Sequence, residues 1–263
     1  MNASSPKPSP DKPSLAIPED MAARLGARRY RLLMQWIRDV NGAYDAALAE
    51  YVTNESILLD AGSSRGDPDL PSLARARQAV ACDVDLAGLR ANVLVRDRVV
   101  SPLETLPFRS GAFDVIVCKF VLEHVSAPLR VLREFARVLR PGGIIAVLTP
   151  NRLSVFAAVS SLVPYSAKQW LKKVLFGGHS EDTFRTYYRA NTPGTLDRLM
   201  GEAGFVNERI EMLAGMWAFF IFSTPLALAV RAVERLQTRI PIARNCSTHI
   251  MGVWRKPLAV ATG

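Results

Sequence analysis

LLDAGSSRGDP, residues 58–68, reads as the end of a strand and the turn that leaves it. With Ser56 and Ile57 before it, the apolar half is a short run closed by Asp60, the pattern of a strand buried on both faces. The second half holds Gly62 and Gly66 with Ser64 between them. Glycine there lets the backbone take φ > 0 and come close to a ligand. No Lys-Ser/Thr pair follows, so this is not a phosphate loop of the Walker type. In a doubly wound sheet, ligands sit at the carboxyl ends of the strands where the strand order reverses, and residues 58–68 suit that place.

Working outward, further apolar runs lie at Gln78–Asp83, Phe113–Lys119 and Gly143–Thr149, with a weaker one at Arg98–Ser101. Helical stretches lie between them, Leu86–Val93 and Ala127–Leu139, the latter with Leu129, Leu132, Phe135, Ala136 and Leu139 at helical spacing. Arg140-Pro-Gly-Gly143 reads as that helix's stop. Alternating strand and helix predicts an α/β fold with right-handed crossovers and a mostly parallel sheet. After Asn151 the alternation breaks. Residues 152–190 read as an insertion with helices of its own and a polar loop, GGHSEDTFRTYYR. Asn191-Thr-Pro193 starts another helix, Gly204-Phe205 ends it, and strands follow near Val206–Leu213 and Thr248–Arg255.

The 263 residues, 49% of them hydrophobic, suffice for one large domain with a full core. Residues 1–18, rich in Ser, Pro and Lys, read as a disordered tail without the apolar stretch of a secretory signal. The expected organisation is a single domain over 19–263, with N-terminal helices at 19–53 and the 152–190 insertion as a lid. Cys82, Cys118 and Cys246 show no metal-ligand spacing, which points to a reducing, cytoplasmic setting without disulfides or a zinc site. The net charge of +9 favours an acidic partner, whether nucleic acid, an anionic membrane surface or a phosphorylated substrate, and does not choose among them.

Asp83 closes the second strand 23 residues after Asp60. An acid at about that distance, roughly 20 residues, is where a ribose diol is gripped. Three more features follow in order: Leu103-Glu-Thr-Leu-Pro-Phe108 with Ser110-Gly-Ala-Phe-Asp114; Val121-Leu-Glu-His-Val125; and Val138-Leu-Arg-Pro-Gly-Gly143 with Leu148-Thr-Pro-Asn151. The ordered set resembles class I S-adenosylmethionine-dependent methyltransferases, nearest the small-molecule branch that includes quinone-pathway enzymes. The resemblance covers residues 54–151 and extends more loosely through Asn191–Phe205. It implies a Rossmann-like doubly wound sheet of seven strands, the last antiparallel, with helices on both faces.

It also implies S-adenosyl-L-methionine as cofactor, with roles for named residues. Asp60 and Gly62 would face the methionine part, with Ser64 and Gly66 in the same turn. Asp83 would bind the ribose hydroxyls and Val84 the adenine. Leu103 and Glu104 would flank the adenine, and Cys118 and Lys119 would lie near the methionine carboxylate or the methyl group. The family usually has glycine where Ser64 stands, and Ser64 is tolerable there if its φ is negative. It often has an acid where Pro102 stands, so a contact to the adenine amino group is lost here. A dinucleotide would want a third glycine and a pyrophosphate at a helix start, where Asp67 would repel it.

Transfer to a hydroxyl needs its proton removed, and His124, just past the fourth strand, is the expected base. His179, in the polar loop beside Glu181, Asp182, Arg185, Tyr187, Tyr188 and Arg189, is the second candidate. His249 reads as structural. The place after the fourth strand reads Cys118-Lys-Phe-Val-Leu, not the Asn/Asp-Pro-Pro-aromatic run of base-modifying enzymes, which argues against nucleic acid as acceptor. Met212–Val230 carries no charge and has two readings. One is a buried helix that lines an apolar acceptor pocket. The other is a monotopic patch beside Arg231, Arg235 and Arg239, touching the inner face of a membrane. Both favour a small hydrophobic or lipid-linked acceptor. The alternatives are a non-catalytic scaffold that keeps the fold, or an RNA-binding protein with steeply salt-dependent association.

Overall fold

The computed structural model describes residues 26–154, 157, 185–220 and 223–258. Seven runs form strands: β1 (Ile57–Ala61), β2 (Gln78–Asp83), β3 (Asp97–Val100), β4 (Phe113–Lys119), β5 (Leu139–Pro150), β6 (Val206–Leu213) and β7 (His249–Arg255). They join in one sheet, ordered β3-β2-β1-β4-β5-β7-β6. The pairs from β3 to β5 are parallel, and β7 lies antiparallel between β5 and β6. This is the Rossmann-like sheet expected. The order reverses between β1 and β4, so the crevice opens at their carboxyl ends.

Side chains alternate across the strands, and each face has its own cover. Leu59, Ile116, Ile145 and Val147 face a layer made by α3 (Pro128–Val138) and α4 (Pro193–Glu202), through Leu132, Phe135, Leu196 and Met200. Leu58, Val117, Ala146 and Leu148 face α1 (Ala27–Ala49), through Val40, Tyr44 and Leu48. The Tyr44 hydroxyl donates to the Ala146 carbonyl at 2.8 Å, so even the polar tip of that buried ring is satisfied. Three further helices lie among the described residues: α2 (Leu86–Ala91), α5 (Thr224–Gln237) and α6 (Pro241–Arg244).

The crossover from β1 to β2 holds no α-helix, and two further features depart from the reading of the sequence. The chain leaving β1 forms only a 3-10 turn, Pro71–Arg75, before β2. Prolines at 68 and 71 would each break an α-helix interior there, and α1 covers that face instead. Arg140–Gly143 does not separate helix from strand. β5 starts at Leu139, and the register shift between Phe113 and Val115 absorbs the proline and glycines as a bulge. Met212–Val230 is not one element: it ends β6, passes a 3-10 turn at Met216–Phe220 and begins α5. The 1–18 tail and the inner part of the insertion, 155–184 apart from Ala157, lie outside the described residues, as does His179.

Candidate functional site

β1 and β2 end side by side, Ala61 opposite Cys82. The turn after β1 folds over the end of β2: the Gly62 and Ser63 N–H groups donate to the Cys82 carbonyl at 2.7 and 3.3 Å. The Ser64 N–H donates to Asp83 Oδ2 at 2.8 Å, and the Asp85 N–H to Asp83 Oδ1 at 2.9 Å. Each Asp83 oxygen retains a lone pair, and the residue lines an open cavity of about 580 Å³. Gly62 has φ +75°, and a Cβ there would stand 2.3 Å from Val121 Cγ2. Both the conformation and the close approach require glycine. Ser64 has φ +39°, so the condition of a negative φ is not met. Pinned to Asp83, it holds a left-handed conformation that costs an L-residue about 1–2 kcal/mol.

The facing wall comes from the loop after β3. The Ser101 N–H donates to the Asp83 carbonyl at 3.0 Å, and the Ser101 hydroxyl reaches the Thr105 carbonyl at 2.9 Å. The resulting turn brings Leu103 and Glu104 to the cavity beside Val84. α3 clamps the rest of this loop. The Leu106 N–H donates to Glu134 Oε1 at 2.8 Å, and Arg137 donates to the Phe108 and Leu106 carbonyls at 2.7 and 2.9 Å. Hydrogen bonds from Arg137 hold the Glu134 carboxyl below the usual glutamate range.

The far end of the cavity belongs to the chain after β4. Phe120 has φ +55°, and Leu122–His124 make a 3-10 turn that sets His124, Val125 and Ser126 on the wall. The segment after the insertion lies against this turn. The Tyr187 and Tyr188 N–H groups donate to the Glu123 carbonyl at 2.7 and 3.2 Å, which brings Arg185 and Tyr187 to the cavity. Arg185 stacks on Tyr187 with Cζ 5.2 Å from the ring centroid. His124 Nδ1 lies 3.3 Å from the Arg185 carbonyl oxygen. A carbonyl only accepts, so this contact favours the proton on Nδ1 and leaves Nε2 as the basic nitrogen. The Glu123 side chain points inward and accepts from the Thr149 hydroxyl at 3.0 Å, while Asn191 Nδ2 donates to the same hydroxyl oxygen at 2.6 Å. Burial raises the Glu123 carboxyl above the usual range.

Beneath the turn sits a second polar group. Lys119 pairs with Asp67. Asp60 is buried, and its pKa is pushed up to about 7, first by burial, then by the Asp67 and Asp83 charges against the opposing pull of Lys119. His249 is buried with its pKa lowered to about 4, by burial and then by Lys119, and it meets the Phe120 ring at 5.7 Å.

Of the residues singled out in the sequence, Gly62, Ser64, Asp83, Val84, Leu103, Glu104 and His124 line one cavity. Four do not. Cys118 is fully buried in the core, and Lys119 turns to Asp67. Asp60 lies below the turn rather than on its surface. Gly66, φ +82°, serves packing: a Cβ would stand 2.6 Å from Asn92 Oδ1, which accepts from the N–H groups of Leu94 and Val95. None of the described residues of Met212–Val230 lines this cavity. Phe120, Val121, Val125 and Ser126 were not foreseen as lining residues. The positive φ of Phe120 leaves no trace in a sequence.

Residues 59–147 match a family model described as a methyltransferase domain. A ubiquinone biosynthesis O-methyltransferase of Marinobacter nauticus is 36% identical over 97 residues, covering 33% of this chain and 41% of that protein. A demethylmenaquinone methyltransferase of Staphylococcus aureus is 32% identical over 114 residues, covering 42% of this chain and 47% of that protein. The chain thus spans less than half the length of either relative. Among solved structures, an S-adenosylmethionine-dependent methyltransferase from Mesorhizobium loti superposes with TM-score 0.54 at 15% identity, over 81% of this chain and 98% of that one. The (4+2)-cyclase SpnF gives 0.53 at 18% identity, over 87% and 81%. These likenesses carry the fold alone, and SpnF, a cyclase, carries out a different reaction on it. Residues 59–147 thus match a methyltransferase domain, and the strand order gives the chain the fold of the class I S-adenosylmethionine-dependent methyltransferases.

Proposed function

We propose that this protein transfers a methyl group from S-adenosylmethionine to an oxygen of a small hydrophobic or lipid-linked acceptor, in the cytoplasm. One observation carries the reading: Asp83, Gly62 and Leu103 line the same cavity as His124. The residues fit the cofactor. Asp83 retains two lone pairs for a diol, Val84 offers an apolar side chain 55% exposed, and the glycine turn leaves open backbone beside them. The quinone-pathway names of the relatives support a hydrophobic acceptor.

When bound, S-adenosylmethionine supplies the activated methyl group, and the protein supplies alignment, dryness and a proton acceptor. In this reading Asp83 would hold the ribose hydroxyls, and Val84, Leu103 and Glu104 would lie beside the adenine. His124 Nε2 takes the acceptor's hydroxyl proton as the oxygen is methylated. Tyr187 and Arg185, hung on the Glu123 carbonyl, shield that end from water, and the 152–190 insertion of a single 19–263 domain acts as the lid. Asp60 and Lys119 support the turn from below. His179, within the lid, is the alternative base.

Calorimetric titration with S-adenosylmethionine and its demethylated product, beside Asp83→Ala, tests this directly. Micromolar binding that the variant loses is the expected result. No binding by the folded protein would remove the reading. Binding without transfer to any of a broad panel of phenolic and lipid acceptors would favour the non-catalytic scaffold, which the strained Ser64 also motivates.

A further inference from the structure

α5 is amphipathic the wrong way round. Its one acid, Glu234, is buried and accepts hydrogen bonds from the N–H groups of Gly215, Met216 and Trp217 at 2.8–3.1 Å. At 3.6 residues per turn, Leu228, Ala229, Ala232, Val233 and Leu236 fall on the opposite side, and all five are exposed. Val233 is 62% exposed and Leu236 61%, and just beyond the helix Ile240 is 49% exposed. Among the described residues nothing covers this face. Arg231, Arg235 and Arg239 run along one edge of it, one turn apart. Together with Leu228, Ala232 and Leu236 they line a shallow groove of about 270 Å³. The helix is firmly seated. Arg231 donates to Gln35 and Asp39 of α1 at 2.9 and 3.2 Å and stacks over Trp217 at 4.9 Å. An exposed apolar face on a rigid helix needs a reason, since leaving such side chains in water forfeits their burial.

We propose that α5 docks this protein on an anionic lipid bilayer. Leu228, Val233, Leu236 and Ile240 enter the boundary between headgroups and acyl chains, and Arg235 and Arg239 meet lipid phosphates along the groove. Charge decides between a bilayer and a second copy of the chain. From 224 to 244 there are four arginines and no acid but the buried Glu234, so a two-fold pairing would bring arginine rows together without compensation. An anionic surface answers both the apolar face and its basic edge. No described helix is long and apolar enough to cross a membrane, which fits a helix lying on the surface. This docking does not depend on the chemistry of the cavity, and its test reads no activity.

The test is flotation of the full chain with phosphatidylcholine vesicles, with and without phosphatidylglycerol, beside two double variants. Val233→Glu/Leu236→Glu removes the apolar contact, and Arg235→Gln/Arg239→Gln removes the charge. The expected result is binding to the anionic vesicles only. The arginine pair should weaken it about 25-fold, at about fivefold per arginine near the surface. The glutamate pair should abolish it. All four side chains are exposed, so thermal midpoints should stay at the wild-type value and show that the fold is kept. Absence of flotation overturns the proposal, as does flotation that neither variant weakens. Self-association broken by the same variants, without vesicle binding, would assign the face to a second copy instead.

Discussion

The Ser64 amide sits 2.8 Å from Asp83 Oδ2, which ties the turn after β1 to the acid that ends β2. The same carboxylate is therefore both the brace of the turn and a group on the cavity wall. Binding and loop order are coupled through it: a change at either residue reaches the other.

Ser64→Gly should stabilise the protein. The left-handed φ of +39° costs serine roughly 1–2 kcal/mol, and glycine's extra freedom in the unfolded chain takes back roughly 0.5–1 kcal/mol. The net gain should raise the thermal midpoint by a degree or two. A lower midpoint would mean that the Ser64 side chain contributes more than its backbone strain removes.

Asp60 predicts a pH signature. Its folded pKa of about 7 lies above the ordinary 3.8. The stability it contributes is therefore complete below pH 3.8 and is lost as pH rises through about 7. Asp60→Asn, neutral throughout, should exceed the wild type in stability at about pH 8, by a margin that shrinks steadily towards about pH 4. Denaturant titrations across that range measure the margin, and a constant margin would show that the buried charge is not its source.

Arg137 holds the wall of the cavity without touching it. Arg137→Lys keeps the charge but loses the planar fork that serves Glu134, Leu106 and Phe108 together. Stability should fall by about 1–2 kcal/mol, and S-adenosylmethionine should bind several-fold more weakly as Leu103 and Glu104 loosen. Unchanged affinity beside a clear loss of stability would separate the clamp from the site.

His124→Gln should lower methyl transfer by about 100-fold or more while leaving cofactor affinity within about threefold, as expected when a general base is removed. Transfer rates on an identified acceptor, set against calorimetric affinity, would show the split. An equal loss in both would make His124 a structural brace for the Arg185 segment.

The sequence by itself determined the strands and the near half of the cavity. β2 and β4 run over the residues their apolar patterns mark, because burial between layers is written locally as short apolar runs bounded by Gly, Pro and Asp. Gly62 and Asp83 were legible from their places at strand ends, and Leu103 through the resemblance to the methyltransferase family. Other features depend on partners far along the chain. Arg185 and Tyr187 reach the cavity because the Glu123 carbonyl, more than 60 positions earlier, receives the Tyr187 amide. Lys119 turns from the cavity to Asp67, and β5 starts at Leu139 because its register with β4 admits a bulge. The run at Met212–Val230 looked like material for one buried element. The structure divides it, turns Glu234 inward to satisfy three backbone amides, and leaves leucines outside. Hydrophobic periodicity says that a helix has an apolar face. Only the tertiary hydrogen bonds decide which face is turned to the protein.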